Sequence, residues 1–286
     1  MKLHFLGTGA AEGVPAVFCN CPTCREVRAR GEKEFHTRAQ IVIDDELSID
    51  YPPDAYYHSL RFQAELSQLK YILTTHSHMD HFYAHDFILR GYKYAHALPS
   101  HKLQIFGNEE VKKVFEECTR RELRAEVAER LEVIELRPFV PFSFGASDEY
   151  TVFPLKAQHS KKETALVFLL EKGKKAYLHL TDTGPLPSES VDGLESYLRS
   201  KNKTVDLITF DCTFLFGDTP VGARHMGLSA NTALKKVFLE RGISDENTRY
   251  VITHYSHNSQ PLWENLQKAE RDYGVIASYD GFQIEV

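Results

Sequence analysis

The sequence predicts an α/β sandwich built from mixed β-sheets, formed by one domain that spans residues 1–286. Short runs rich in β-branched and aromatic residues recur along the whole chain, each bounded by turn residues. Helical patterns separate some of these runs, whereas others follow one another directly, so both parallel and antiparallel pairing are expected. No repeat and no Pro/Gly-rich linker divides the chain, and its length suits one large domain.

The strand and helix patterns can be placed along the chain. The predicted strands are KLHFL (2–6), AQIVID (39–44), KYILTT (70–75), KLQIFG (102–107), ALVFLLEK (165–172), KAYLHLT (175–181), DLITFD (206–211), RYVITH (249–254) and FQIEV (282–286). Apolar residues at helical spacing predict a helix over 108–130, and another over 229–242 that begins at a Ser229 cap and ends at Gly242. The glycines of GTGAAEG (7–13) do not match a nucleotide-binding spacing, which favours a tight turn.

Composition limits the classes of partner. The chain has 34 basic and 40 acidic residues, a net charge of −6, so nucleic acid is not an expected partner. No apolar run approaches the ~18 residues of a membrane span. The start MKLHFLGTG reads as a strand and a turn without a signal-peptide core, so we expect a cytoplasmic protein that does not associate with membranes. Five cysteines, an odd number, argue against a disulfide framework, and the isolated Cys118 and Cys212 are expected to pack as apolar residues.

Histidines and one aspartate cluster directly after the third predicted strand. The segment ILTTHSHMDHF (72–82) places four potential metal ligands, His76, His78, Asp80 and His81, within six residues. A structural role does not require that spacing, whereas a metal site does. The histidine pair and the Asp-His pair can also serve two ions about 3.5–4 Å apart.

Further ligands follow three later strand-like runs. His159 stands in KAQHSK, Asp182 in LTDTG and His254 in ITHYSH. Each comes after an apolar run, so each is expected at the same sheet edge as the cluster at 76–81. Together the two sets predict a dinuclear metal site.

A separate cysteine cluster lies near the start of the chain. Cys19, Cys21 and Cys24 form C-x-C-x-x-C, with no fourth cysteine nearby. Because reducing compartments leave such clusters to metal ions, and structural zinc takes four ligands, a zinc site with an unidentified fourth ligand is predicted.

These motifs resemble the metal pattern of the metallo-β-lactamase superfamily, and the resemblance runs from FLGTGAAEGVP (5–15) to SYDGFQIEV (278–286). Within it, the sequence most resembles the PhnP-like phosphodiesterases of phosphonate degradation, which share G-T-G, C-x-C-x-x-C, D-C-T and a terminal T-H-x-x-H. The resemblance implies a four-layer αββα sandwich with two mixed β-sheets and a dimetal site at one edge of the paired sheets.

The resemblance also implies a role for individual residues. One divalent ion is implied on His76, His78 and His159, a second on Asp80, His81 and His254, with Asp182 bridging both. A structural zinc is implied on Cys19, Cys21, Cys24 and His257. His225, which is not a ligand in this pattern, is implied as the general acid or a phosphate-binding group.

The expected activity is hydrolysis of a small cyclic or linear phosphodiester by a dimetal-activated water, with zinc, manganese or iron as the metal. Two alternatives stay open: an RNA-processing nuclease of the tRNase Z kind, and a non-catalytic metal-binding protein like PqqB. Hydrolysis of a β-lactam or a thioester has less support from the motifs. The sequence leaves the oligomeric state open, a homodimer included.

Overall fold

A computed structural model describes residues 1–286, with 14 strands and seven helices. The strands are β1 (Lys2–Gly7), β2 (Gln40–Ile43), β3 (Leu47–Ile49), β4 (Tyr71–Leu73), β5 (Leu103–Gly107), β6 (Leu131–Glu135), β7 (Phe142–Phe144), β8 (Tyr150–Lys156), β9 (Leu166–Lys172), β10 (Lys175–Leu180), β11 (Leu207–Asp211), β12 (Arg249–Thr253), β13 (Ile276–Ala277) and β14 (Phe282–Glu285). The helices are α1 (Pro22–Arg30), α2 (Ala55–Arg61), α3 (Glu109–Thr119), α4 (Ala125–Ala128), α5 (Ser188–Ser200), α6 (Leu228–Glu240) and α7 (Trp263–Tyr273).

The strands form two mixed sheets of seven. The first has the order β14-β1-β2-β3-β4-β5-β6, antiparallel from β14 to β3 and parallel from β3 to β6. The second has the order β13-β12-β11-β10-β9-β8-β7, parallel from β13 to β10 and antiparallel from β10 to β7. The predicted mixture of pairing is therefore confirmed in both sheets.

The layers follow from where the apolar faces lie. Phe5 and Ile43 of the first sheet share one core with Phe168, Tyr177 and Val251 of the second, so the sheets pack face to face. A second apolar cluster buries α3 and α4 on the outside of the first sheet. A third, the largest, buries α5, α6 and α7 on the outside of the second sheet. This is the predicted αββα sandwich. None of the seven helices has the combination of length and apolarity that a membrane crossing requires.

All nine predicted strands are present, but two helix predictions were wrong in detail. The pattern over 108–130 forms two helices, because α3 stops at Thr119, whose hydroxyl bonds back to the Phe115 carbonyl oxygen at 2.7 Å. Helix α6 begins after Gly227 and not at Ser229, because the Leu228 amide is already bonded to the Leu215 carbonyl at 2.8 Å. The predicted stop is confirmed, since Gly242 follows α6 with a left-handed φ of 66°.

Candidate metal centre

The candidate centre lies where strands of both sheets end at one edge of the sandwich. The segment 74–82 follows β4, Asp182 follows β10 and His254 follows β12. Asp182 and His254 have left-handed φ values of 57° and 65°, and Asp50, which follows β3, has 61°. Non-glycine residues adopt this conformation at a cost, so the fold holds three side chains at the edge in strained turns.

The first group of side chains contains His76, His78 and His159, whose ring nitrogens lie within 4.8 Å of one another. Nε2 of His76 is 2.9 Å from Nδ1 of His78, which is 3.3 Å from Nε2 of His159. His76 and His159 are buried, whereas His78 is exposed to solvent. Three imidazoles converging on one point, with one side open, suit a divalent ion that keeps a position for substrate.

The second group contains Asp80, His81, Asp182 and His254, all buried and again within 4.8 Å. Oδ2 of Asp182 is 2.8 Å from Nε2 of His81 and 3.8 Å from Nε2 of His254. The same carboxylate reaches the first group, at 3.4 Å from His76 and 3.2 Å from His159. Asp182 is thus the side chain between the two groups, as a bridging ligand must be.

Neighbouring polar groups fix which nitrogen of each ring faces the centre. Nδ1 of His81 is 2.6 Å from Oδ2 of Asp50, which is 2% exposed. Nδ1 of His76 bonds the Thr75 hydroxyl at 3.0 Å, and Nδ1 of His254 bonds the Thr213 hydroxyl at 2.9 Å. In each ring the Nε2 atom is left for the centre, the arrangement in which an outer hydrogen bond orients a metal-ligating histidine.

The inward atoms lie close to one another but are not satisfied by hydrogen bonds. Nε2 of His81, Nε2 of His254 and Oδ1 of Asp182 are buried without a hydrogen bond of acceptable geometry. A buried polar group without a partner is costly, and metal ligation removes that cost. The residues therefore fit a pair of divalent ions, with imidazole and carboxylate donors suited to zinc, manganese or iron.

The charges of the second group depend on one another. Burial disfavours a charged His81 ring, but Asp80, Asp50 and Asp182 outweigh it and raise the pKa of His81 well above its ordinary value. Burial would raise the pKa of Asp182, yet His254 and His81 hold it well below its ordinary value. In the metal-free protein the cluster therefore holds ionised carboxylates around a charged ring.

His225 lies beside this centre and adds a second carboxylate. Its Nδ1 is 3.0 Å from Oδ2 of Asp211 and 3.2 Å from Oδ1 of Asp182, and its side chain is 25% exposed. Burial alone would lower the pKa of His225, but Asp211 and then Asp182 overcome burial and raise it to about 9. Asp211 is fully buried and also accepts the Thr213 and Met226 amides, each at 3.0 Å. The pair therefore places a protonated ring, held by a fixed carboxylate, at the rim of the centre.

The cysteine cluster forms a third group of potential ligands. One thiolate or imidazole atom from each of Cys19, Cys21, Cys24 and His257 lies within 4.8 Å of the others. The sulfur of Cys21 is 3.5 Å from Nδ1 of His257. The Cys24 amide and His257 lower the pKa of Cys21 to about 6, whereas burial raises that of Cys24 to about 11. Three sulfurs and one imidazole nitrogen suit a closed structural zinc site.

The structure thus brings the eleven proposed ligands into the three groups that the sequence analysis named. His225 and Asp211 form a fourth group with Asp182 and His254. Sequence reasoning gave no role to Asp50 or Asp211, which orient His81 and His225. Both follow or end an apolar strand at the same edge, so the argument used for Asp182 applied to them as well. The hydroxyls of Thr75 and Thr213 carried no comparable signal.

Comparisons with known proteins agree with this fold. A model of a family described as a beta-lactamase superfamily domain matches residues 12–255. An octanoyltransferase from Porphyromonas gingivalis is 26% identical over 202 residues, which are 68% of this chain and 37% of that relative. The match thus spans little more than a third of the relative's length.

Solved structures resemble the whole chain. A diphosphatase from the PhnP family has a TM-score of 0.70 at 18% identity, with 100% of this chain and 97% of that chain covered. Zn²⁺-bound PqqB from Methylobacterium extorquens has 0.71 at 15%, with 100% of both covered. Human tRNase Z, short form, has 0.64 at 16%, with 100% and 99% covered. These identities show the shared fold alone. Because the family model matches most of the chain and both sheets have the expected arrangement, the protein belongs to the β-lactamase superfamily and has the metallo-β-lactamase fold.

Proposed function

We propose that this protein is a metal-dependent hydrolase that cleaves a phosphodiester bond in a small cyclic or linear substrate. The observation that carries the proposal is the position of His225, which is hydrogen-bonded to Asp211 and lies 3.2 Å from Asp182. A protonated ring beside a candidate dimetal centre is the arrangement that cleavage of a poor leaving group needs. Hydrolysis without such a group would leave the departing alkoxide without a proton donor.

We assign an ion to each group of donors. The two histidine groups would hold zinc, manganese or iron, and the cysteine cluster would hold zinc. One divalent ion is assigned to His76, His78 and His159, one to Asp80, His81 and His254 with Asp182 shared, and a structural zinc to Cys19, Cys21, Cys24 and His257. When bound, the paired ions would activate water and neutralise the charge that builds on the phosphoryl oxygens.

The protein's own residues supply orientation and a proton. Asp182 contacts both groups, since Oδ2 lies 2.8 Å from His81 of the second group and 3.4 Å from His76 of the first, and Oδ1 lies 3.2 Å from His159 of the first. Asp211 holds Nδ1 of His225, which leaves Nε2 as the nitrogen available to the substrate. We therefore assign His225 as the proton donor to the leaving oxygen and Asp211 as the residue that positions and charges it.

Access to the centre favours a small substrate that approaches from one side. The side chains of His76, His81 and His254 are at most 1% exposed, so they offer the substrate no direct approach from the solvent. His78 and His225 reach the solvent, and Met79 beside His78 is 56% exposed. The scissile group would then enter between the loop that carries His78 and the loop that carries His225.

Three alternatives are tested alongside this activity, and one of them is non-catalytic. The structural likeness to PqqB is the reason to test a non-catalytic metal-binding role, and the likeness to tRNase Z is the reason to test RNA cleavage. The partial match to an octanoyltransferase adds hydrolysis of an octanoyl thioester as a further substrate class. The paired His225 and Asp211 favour catalysis, because a metal-binding accessory protein does not require a proton donor at the rim.

The test is a substrate panel on protein of measured metal content. We expect turnover of bis(p-nitrophenyl) phosphate that exceeds turnover of p-nitrophenyl phosphate, a chromogenic β-lactam, octanoyl-coenzyme A and a precursor tRNA. His85→Ala serves as the matched control, because His85 is an exposed histidine a few residues beyond the cluster and belongs to none of the three groups. A fully metal-loaded protein that hydrolyses none of these substrates would support the non-catalytic alternative instead.

A further inference from the structure

Ser77, the residue between His76 and His78, is hydrogen-bonded to a carboxylate from the loop between β8 and β9 of the second sheet. Ser77 donates its backbone amide to Oε2 of Glu163 at 3.0 Å and its hydroxyl to Oε1 at 2.7 Å. Glu163 lies between β8 and β9, four residues after His159. Glu163, in a loop between two strands of the second sheet, therefore forms two hydrogen bonds with Ser77. Ser77 lies between two proposed ligands that follow β4 of the first sheet.

The same carboxylate is also anchored to a helix. Nδ2 of Asn108 donates to Oε2 of Glu163 at 2.7 Å and to the Thr164 carbonyl at 2.9 Å. Oδ1 of Asn108 caps α3 by accepting the amides of Glu110 and Val111 at 3.0 and 3.1 Å. Asn108 is 4% exposed and its amide group is fully used. Glu163 is thus fixed by a rigid helix start and is not a freely moving surface side chain.

Three neutral donors meet the two carboxylate oxygens of Glu163. Glu163 receives three hydrogen bonds, from Ser77 twice and from Asn108 once, and no lysine or arginine forms an ion pair with it. Hydrogen bonds to a charged acceptor are stronger than neutral ones. A glutamine could keep all three contacts without the charge, because its Oε1 could accept the two amides and its Nε2 could donate to the Ser77 hydroxyl. An alanine would remove all three contacts.

Geometry ties this contact to the metal ligands. Ser77 is flanked on both sides by proposed ligands, and Nε2 of His76 and Nδ1 of His78 are only 2.9 Å apart. The Leu166 amide also bonds the Thr75 carbonyl at 2.8 Å, which fixes the segment one residue before His76 to the start of β9. With both ends of the segment held by the second sheet, the separation of the two rings is set before any ion arrives.

We infer that Glu163 is a positioning residue that, through Ser77, pre-organises His76 and His78 and so raises the affinity of the first histidine group for a divalent ion. This inference rests on the metal centre of the proposed function. Outer groups that orient metal ligands typically change metal affinity by about 10–100-fold when removed. Because Glu163 acts on the backbone between two ligands and not on a ring, we expect the lower end, about tenfold.

The test is a titration of metal-free protein with Co²⁺, followed by the d–d absorption of the histidine sites, with the thiolate charge-transfer band reporting the cysteine cluster separately. Wild type is compared with Glu163→Gln, Glu163→Ala, Ser77→Ala and the double variant Glu163→Ala/Ser77→Ala. Glu122→Ala is the matched control, since Glu122 is an exposed glutamate whose side chain makes no hydrogen bond or ion pair. We expect about tenfold weaker Co²⁺ binding and altered d–d bands in Glu163→Ala and a smaller loss in Glu163→Gln, with the cysteine band and the control unchanged.

The double variant shows whether Glu163 acts through Ser77. If it does, removing the Ser77 hydroxyl from Glu163→Ala adds no further loss, whereas independent effects would add. Glu163→Gln should bind Co²⁺ more tightly than Glu163→Ala, since its amide can still contact Ser77 and Asn108. Unchanged Co²⁺ affinity and bands in Glu163→Ala, even with a lower unfolding temperature of the metal-free protein, would overturn the inference and leave a purely structural link. Failure of wild type itself to bind Co²⁺ at the histidine sites would overturn the proposed function as well.

Discussion

Replacing His225 by alanine should affect substrates according to how much their leaving group needs a proton. In the structure Nδ1 of His225 is held by Asp211 at 3.0 Å, so the Nε2 nitrogen is available to a departing oxygen. A positioned general acid contributes about 10²–10⁴-fold, or roughly 3–5 kcal/mol of barrier. We expect His225→Ala to slow an alkyl or cyclic sugar phosphodiester by that factor. A p-nitrophenyl diester should slow by less than about tenfold, because nitrophenolate leaves without protonation.

The assay is kcat/KM for both substrates in wild type, His225→Ala and Asp211→Asn, with metal content measured in each preparation. Asp211→Asn keeps the shape and the amide contacts of the buried side chain but removes the charge that keeps His225 protonated. It should therefore reproduce the substrate dependence of His225→Ala in weaker form. His85→Ala, an exposed histidine outside the centre, should leave both substrates unaffected.

The ratio between the two substrates decides the role of His225. Similar losses for both would mean that the ring binds the phosphoryl oxygens, which the substrates share, and would refute proton donation. Unchanged kcat/KM for both substrates would show that His225 has no role in catalysis. A loss that follows metal content would mean that His225→Ala had disturbed the neighbouring Asp182, which lies 3.2 Å away.

Three further predictions concern Asp182, the cysteine cluster and His225. Asp182→Ala should abolish hydrolysis of an activated phosphodiester and lower metal occupancy, measured by elemental analysis, because Asp182 contacts both histidine groups. Cys21→Ser should remove about one equivalent of tightly bound zinc and lower the thermal unfolding temperature, while Cys118→Ser should leave the zinc content unchanged. In metal-free protein, the pKa of His225 is raised to about 9 by Asp211 and Asp182 against the effect of burial. Its charge therefore adds stability that is complete below about pH 6.5 and is lost as the pH rises through about 9, worth on the order of 3 kcal/mol relative to His225→Gln by urea unfolding.

Each of these has a contrary result. Near-wild-type turnover of Asp182→Ala at full metal content would show that the bridging assignment is wrong. Unchanged zinc in Cys21→Ser would remove the structural zinc. A stability difference between wild type and His225→Gln that stays constant from about pH 6 to pH 10 would contradict the raised pKa, since linkage requires the difference to shrink over that range.

Local pattern was sufficient for most of the fold. The strands at 2–6, 165–172 and 249–254 are short runs rich in apolar residues between turn residues, and a run of that kind is buried in a sheet whichever strand it pairs with. The errors arose where contacts distant in sequence set an element's limits. Helix α6 starts at Leu228 because Leu215 accepts its amide, and no pattern within 227–242 reports that bond. Five strands were not predicted. Strands β3, β7 and β13 have only two or three residues, too few for a period to be recognised, whereas β6 and β8 have five and seven residues, and β8 contains Pro154, which argues against a strand in sequence.

The sequence by itself determined the composition of the centre. Four donors within six residues at 76–81, and a lone His159, Asp182 and His254 each after an apolar run, are local features, because the end of a strand places a side chain at a sheet edge. Sequence spacing also grouped Cys19, Cys21 and Cys24. Because these features are local, the resemblance to the superfamily could assign a role to each residue before any distance was known.

Only the tertiary structure decided how these residues act on one another. Asp182 lies between two histidine groups, Asp211 is hydrogen-bonded to His225, and Glu163 is hydrogen-bonded to Ser77. These contacts join residues that are 14 to 106 positions apart in the sequence. Such contacts depend on two sheets packing face to face with their strand ends at one edge. Packing of that kind is a property of the whole core and not of any window of sequence.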